Sequence, residues 1–282
     1  MTILDGKKTA QEVRLQLKEQ VAECQAKHGT SVTLAVILVG DYAPSQTYVA
    51  NKIKACAEVG IASRCVRLPQ TAEDADIARE IAALNADPQV HGVMLQLPLP
   101  PQCHQADLLA LIDPRKDVDG LHEVQRGRLF EGLPCLAPCT PLGVMRLLKT
   151  YHVPVAGKHA VVVGRSNLVG KPLAMMLLAA DATVTICHSR TPDLAAVCRT
   201  ADILAVAVGR PNTITADMVK PGAVVVDVGI TRTEAGIKGD VDFAAVGPLC
   251  SYITPVPGGV GPMTVAMLLS NTLAAYRMQM EN

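Results

Sequence analysis

The stretch that decides the fold is His159-Ala-Val-Val-Val-Gly164-Arg-Ser-Asn-Leu-Val-Gly170-Lys-Pro172. Its β-branched run reads as a strand buried on both faces. A turn of small residues and a helix start follow, the order that a dinucleotide loop requires. Gly164 permits the tight turn and Gly170 lets the helix pack closely. The helix N-terminus would aim free N–H groups at a diphosphate. Ser166 stands where the middle glycine of G-x-G-x-x-G is expected, so an ordinary βα turn with glycines for geometry fits the local pattern too.

Downstream the alternation continues. Helical spacing over residues 170–180 and 192–199 separates apolar runs at 183–187, 203–208 and 223–228. Upstream, Ala10, Val13, Leu17, Val21 and Cys24 lie three or four apart, which predicts an amphipathic first helix capped by Asp5 or Thr9. Strands are expected at 32–39, 61–68 and 90–97, with helices at 45–59 and 71–86. Thr71-x-x-Asp74 looks like a capping box for the last of these. Residues 115–138 are rich in Gly, Pro and charge and carry little periodicity, as a substrate-facing loop would. Thr140-Pro141 opens another helix, and residues 263–280 form a long apolar-striped one that can return to the first domain.

A chain of 282 residues suggests two domains. The fold class expected is α/β, with two α/β domains flanking a cleft. The second is a Rossmann-like, doubly wound parallel sheet. The first comprises residues 1–139 plus 262–282, the second residues 140–261.

The second strand of the glycine-turn series selects the cofactor. NAD-selective folds place an acid at its end, about 20 residues past the glycines. Here the strand ends Cys187-His188-Ser189-Arg190-Thr191, without an acid. A 2′-phosphate would meet Ser189, Arg190 or His188, with Arg165 reaching across, and this favours NADP. Arg190 reads equally as a solvated strand-end charge.

In Tyr48-Val-Ala-Asn-Lys52 the Tyr and Lys share one helix face. Desolvation lets such a lysine shed its proton, and a tyrosine hydroxyl helps shape a site. The same spacing is common on exposed helices. Short-chain dehydrogenases carry it after the glycine loop, whereas here it precedes that loop in a separate domain. Gln96, in Leu95-Gln96-Leu97-Pro98-Leu99-Pro100, ends a buried strand, at the edge where open α/β sheets bind ligands. Asp119, in Asp117-Val-Asp119-Gly120, offers a carboxylate to an amino-pyrimidine ring. Gln96 also reads as a plain strand-end residue and Asp119 as a turn former. Pro255-Val-Pro257-Gly258-Gly259-Val-Gly-Pro262-Met-Thr264 is a rigid, glycine-rich loop before a helix, suited to close approach by a ligand or to a simple turn.

Bulk properties exclude several classes. Twenty-six basic residues balance 26 acidic ones, which gives no reason to expect a nucleic acid or anionic membrane as partner. With two Phe, five Tyr and no Trp, base-stacking platforms are not expected either. The nine cysteines contain no C-x-x-C pair and the histidines lack ligand spacing, so reduced thiols and no metal site are expected. The start has no apolar signal region, and apolar runs such as 34–39 are too short to cross a bilayer. The expected compartment is the cytoplasm.

Five segments, Tyr48 to Lys52, Gln96 to Pro100, Asp117 to Gly120, Gly164 to Pro172 and Pro255 to Thr264, together resemble the bifunctional methylenetetrahydrofolate dehydrogenase/cyclohydrolase family over essentially the whole chain. The resemblance implies a catalytic folate-binding first domain, an NADP-binding second domain and a homodimer. It implies that 5,10-methylenetetrahydrofolate is oxidised with NADP, and that the methenyl product is hydrolysed to 10-formyltetrahydrofolate in the same site. Lys52 matches the family's catalytic lysine. Tyr48 would orient the folate, Gln96 would tune Lys52 and Asp119 would hold the pterin, with Leu97 and Pro98 beside them. Gly164, Arg165, Ser166, Gly170, Ser189, Arg190 and Ile230 are the implied cofactor contacts. Pro257, Gly258, Gly259 and Thr264 are implied substrate contacts. Two other classes stand beside this reading: an amino-acid or shikimate dehydrogenase, and a non-catalytic NADP-binding regulatory module.

Overall fold

The structure, a computed structural model, describes residues 1–234 and 236–281. Its elements run β1 (Thr2–Ile3), α1 (Gly6–His28), β2 (Thr33–Val39), α2 (Ala43–Val59), β3 (Ala62–Leu68), α3 (Asp74–Ala86), β4 (Gly92–Leu95), α4 (Gln105–Leu109) and α5 (Glu123–Phe130). There follow α6 (Cys139–Thr150), β5 (His159–Val163), α7 (Gly170–Ala179), β6 (Thr183–Cys187), α8 (Leu194–Cys198), β7 (Ile203–Val206) and β8 (Val224–Asp227). A hairpin of β9 (Thr231–Thr233) and β10 (Gly236–Lys238), α9 (Phe243–Val246), β11 (Tyr252–Ile253) and α10 (Val260–Met280) complete the chain.

Two compact units emerge, each assembled from separate stretches of chain: Met1–Gln11 with Thr140–Thr264, and Glu12–Cys139 with the chain from Val265 onward. The first eleven residues thus lie with the nucleotide-type unit, because β1 pairs in parallel with β11 at Thr2↔Tyr252 and Ile3↔Ile253.

In the unit built around residues 12–139, a three-stranded parallel sheet has the order β3-β2-β4. All but the first residue of β2 are buried, as expected of a strand covered on both faces. Ile37, Ile77, Ile81, Leu84, Val93 and Leu95 pack there. The C-terminal part of α10 closes this unit through Tyr276, which is fully buried, shares a 2.9 Å hydrogen bond with Thr30 Oγ1 and stacks edge-on to His91 at 4.6 Å.

The other unit carries a six-stranded sheet, β1-β11-β8-β7-β5-β6, parallel at every pairing. From β5 the chain moves to β6 on one side and then returns past it to β7. The β5/β7 boundary is therefore the topological switch point where such sheets bind ligands. Its core joins Val161, Val163, Leu204, Val206, Val225 and Ile253.

Three local expectations change. The capping box of α3 is displaced by two residues: Glu73, not Thr71, is the N-cap, and its N–H donates to Asp76 Oδ2 at 3.2 Å. The segment read as irregular contains α5, whose first turn is capped by the His122 ring, with Val124 N–H donating to Nδ1 at 3.0 Å. The strand expected at 90–97 is the shorter β4; Gln96 comes directly after it, its N–H still donating to Ile37 O at 2.9 Å.

Candidate functional site

Proline at the start of α2 suits the first helical turn, and Ser45, Val49, Cys56 and Val59 form the stripe that seats the helix. Lys52 lies at the edge of that stripe, and its ammonium donates to Gln96 Oε1 at 3.0 Å and to Met94 Sδ at 3.2 Å. The two acceptors are two residues apart, so strand alternation carries both toward the same face. The Gln96 amide nitrogen donates to Leu97 O at 2.6 Å, which turns its oxygen toward the lysine. Tyr48, one turn before Lys52, is 43% exposed and free to meet a ligand by its ring. One turn after Lys52, burial pushes the Cys56 thiol up to about 12, against the lowering effect of the lysine charge. It therefore stays a neutral thiol beside the lysine.

The Asp-Val-Asp-Gly segment is anchored from both ends. Lys116 is buried, and its Nζ donates to the carbonyls of Leu84, Asn85 and Asp87 at 2.7–3.0 Å, closing the C-terminal end of α3. Asp117 bridges in parallel to Val93 and accepts from His122 N–H at 2.7 Å. Burial pushes its carboxyl up to about 7 despite those backbone donors. Gly120 is left-handed at φ 69°, and a Cβ there would meet Leu136 O at 2.4 Å. Asp119 is also raised by burial, while the charge of Lys52 and a weak bond from Cys139 Sγ at 3.9 Å act the other way. Asn271 holds the backbone beneath it, donating to Val118 O at 2.8 Å and Ala137 O at 2.9 Å.

In the other unit, Gly164 ends β5 at φ 131° with the site of a missing Cβ 2.4 Å from Ala207 O. At Gly170 a Cβ would lie 2.1 Å from Gly164 O. Neither position accepts a larger residue, and together they bring the start of α7 onto the turn. Ser166 Oγ accepts from Val169 N–H at 3.1 Å and so shapes the turn where the middle glycine is missing. At the end of β6, His188 N–H donates to Thr191 Oγ1 at 2.8 Å and Arg190 N–H donates to His188 Nδ1 at 3.1 Å. This small turn leaves Ser189, Arg190 and, across the strand ends, Arg165 exposed and presents no acid. Those residues fit a dinucleotide carrying a 2′-phosphate.

The loop before α10 is tied to the first turn of α1. Lys7 N–H donates to Gly258 O at 3.0 Å, and a Cβ on Gly6 would collide with Gly259 O. Pro257 is exposed, Gly258 half-buried and Gly259 buried. Ile230 is 49% exposed, over Gly261. Thr264 lies inside α10 and shares a 3.0 Å hydrogen bond with Thr140 Oγ1, so its hydroxyl already has a partner within its own unit.

The structure thus brings Lys52, Gln96 and Met94 into contact, with Asp119 close enough to feel the lysine's charge. Tyr48, Leu97 and Pro98 belong to the same unit. Gly164, Arg165, Ser166, Gly170, Ser189, Arg190, Ile230, the 257–259 loop and Thr264 belong to the other. Met94, Cys139 and Asn271 escaped the sequence reading. Met94 was open to discovery, since it precedes Gln96 by one strand repeat, but nothing in the chain announces the other two. Among the described residues no group of three or more His, Cys, Asp or Glu is placed to hold a metal ion, and no helix is long and apolar enough to cross a membrane.

Comparison with known proteins agrees with this division of labour. Residues 4–119 match the tetrahydrofolate dehydrogenase/cyclohydrolase catalytic domain, and residues 138–280 match the NAD(P)-binding domain of the same family. A bifunctional protein FolD of Oleidesulfovibrio alaskensis is 57% identical over 98% of both chains. The crystal structure of the Campylobacter jejuni bifunctional dehydrogenase/cyclohydrolase superposes with a TM-score of 0.97 at 50% identity, covering 99% of each chain. That of the Trypanosoma brucei enzyme, complexed with NADP and an inhibitor, superposes at 0.93 and 39% identity, covering 99% of this chain and 98% of that one. The chain belongs to the tetrahydrofolate dehydrogenase/cyclohydrolase family.

Proposed function

We propose that a single folate-binding centre built around Lys52 serves both reactions of the family. The chain is a methylenetetrahydrofolate dehydrogenase and methenyltetrahydrofolate cyclohydrolase that uses NADP. NADP, when bound, supplies the hydride acceptor that converts 5,10-methylenetetrahydrofolate into the 5,10-methenyl cation. The protein's contribution to that step is orientation and electrostatics. Asp119 holds the amino-pyrimidine end by accepting its N–H groups, and the Tyr48 ring, with Leu97 and Pro98, orients the folate. In the second step water adds to the methenyl carbon. Lys52 Nζ, as the free amine, takes a proton from that water. As the ammonium, it returns that proton to the folate nitrogen whose bond to the carbon breaks as the ring opens to 10-formyltetrahydrofolate, the remaining hydroxyl proton leaving to solvent. Gln96 Oε1 keeps Nζ aimed while this happens. The 3.0 Å contact between Lys52 and Gln96 is the observation that carries the assignment.

On the cofactor side, Gly164, Ser166 and Gly170 receive the diphosphate and Arg165, Ser189 and Arg190 the 2′-phosphate. Ile230 and the 257–259 loop flank the nicotinamide. The protein acts as a homodimer in the cytoplasm, with no nucleic-acid partner. The exposed edge strand β3, the nine free thiols and the balanced charge support those points. The test is reduction of NADP and NAD by 5,10-methylenetetrahydrofolate with the purified native chain. Faster formation of NADPH is expected; folded protein that reduces neither dinucleotide would sink the dehydrogenase reading.

A further inference from the structure

Two buried carboxylates in the nucleotide unit have no part in the roles above. Asp240 is 0% exposed, and its Oδ2 accepts from the N–H groups of Val208 at 2.6 Å and Gly209 at 2.9 Å, while Oδ1 accepts from Arg210 at 2.8 Å. Three successive amides, with Gly209 left-handed at φ 68°, form a nest, the backbone concavity that binds anions. Asp240 fills it with an anion of the protein's own.

Asp227, the last residue of β8, holds Asp240 from behind. Its Oδ1 accepts from Asp240 N–H and Gly229 N–H, and its Oδ2 from Val241 N–H, all at 2.9 Å. Its own N–H donates to Thr254 Oγ1 at 2.7 Å, directly before the 255–259 loop. The packing leaves no slack: a Cβ on Gly229 would come within 2.2 Å of the Asp240 carboxyl carbon, and one on Gly239 within 2.0 Å of Asp227 Oδ2. Burial, assisted by the charge of Asp240, pushes the Asp227 carboxyl up to about 6 against its backbone donors.

The nest lies at the carboxyl edge of the sheet, immediately after Ala207, whose carbonyl approaches the missing Cβ of Gly164. β5 and β7 are hydrogen-bonded neighbours, so the nest follows the strand beside the one that leads into the dinucleotide turn. An empty nest there would compete for the same diphosphate. We propose that Asp240, seated by Asp227, is a positioning residue for the dinucleotide. It neutralises the amide nest after β7, leaves the 164–170 turn as the seat for the diphosphate, and fixes the 208–210 wall beside that turn. The inference rests on the reading that this unit binds NADP.

The experiment is isothermal titration of NADP into the full-length native chain, Asp240→Asn and Gly209→Ala, with hydrolysis of methenyltetrahydrofolate measured on the same samples. Asp240→Asn is expected to raise the NADP dissociation constant about tenfold or more, since several charge-assisted bonds are lost. Its hydrolysis rate should stay within about twofold, because hydrolysis draws on Lys52 and Gln96 in the other unit. The surroundings of the Gly209 Cβ position are empty to 4 Å. Gly209→Ala therefore strains only the nest and should weaken NADP several-fold without threatening the fold. Unchanged NADP affinity in folded Asp240→Asn, or parallel loss of both readouts, would overturn the proposal. Should Asp240→Asn not fold, unchanged affinity in Gly209→Ala would do the same. A native chain that binds no NADP would instead contradict the underlying assignment of the unit.

Discussion

Lys52 has two acceptors of unequal strength: an amide oxygen at 3.0 Å and a thioether at 3.2 Å. Thioether sulfur is the weaker acceptor, so Gln96 determines where Nζ points and Met94 mainly fills space. Gln96→Leu is accordingly expected to slow methenyl hydrolysis by about ten- to a hundredfold, and Met94→Leu by less than about threefold, in single-substrate rate measurements. Equal losses in the two variants would contradict this ranking. The sequence could single out Tyr48, Lys52, Gln96 and Asp119 through the family resemblance of their segments, since one helix face, one strand end and one turn each fit a plain structural reading as well. Cys139 and Asn271 were not legible there. They reach the Val118 carbonyl, next to Asp119, only through folding of distant segments, and neither residue type at its position signals such a contact.

The 2′-phosphate contacts proposed for NADP lie at the end of β6. The 188–191 turn satisfies its own backbone through His188 and Thr191 and leaves Ser189 and Arg190 outward. A carboxylate introduced there would repel a 2′-phosphate and accept from a 2′-hydroxyl. Ser189→Asp is thus predicted to shift the ratio of kcat/KM for NADP over NAD by about tenfold or more toward NAD. An unchanged ratio would place discrimination elsewhere. The strands and helices of the nucleotide unit were readable because period-two and period-3.6 patterns alternate cleanly there. α5 was missed because it spans only Glu123–Phe130 and takes its N-cap from a histidine ring, outside the usual Ser, Thr, Asp and Asn signals. The capping box of α3 was misplaced because Thr71 and Glu73 both precede an acid by three residues, and sequence spacing alone does not choose between them.

At the scale of the whole molecule, three carboxylic acids are held above the ordinary 3.8 by burial: Asp119, Asp117 at about 7 and Asp227 at about 6. Between pH 4 and 7 these groups bind more protons in the folded chain than in the unfolded one, and their contribution to stability falls as pH rises through that window. Asp117 alone contributes an effect on the order of a few kcal/mol. Denaturant midpoints should be higher at pH 5 than at pH 8, and Asp117→Asn should flatten that slope while preserving an acceptor for His122. A slope identical in native and variant would rule out Asp117 as its source. The two-unit organisation was visible in outline from length and from the break in periodicity after residue 115. The allotment of the first eleven residues was not, since two-residue strands such as β1 and β11 carry no periodicity of their own. They pair only once the rest of the sheet exists.

Lys52 as the residue of the hydrolytic step is tested most directly by comparing native protein with Lys52→Met, a substitution that keeps length and removes the charge. Hydrolysis of methenyltetrahydrofolate should be abolished in the variant while NADP binding by titration is retained. Lys52→Met protein that still hydrolyses methenyltetrahydrofolate at the native rate would contradict the account.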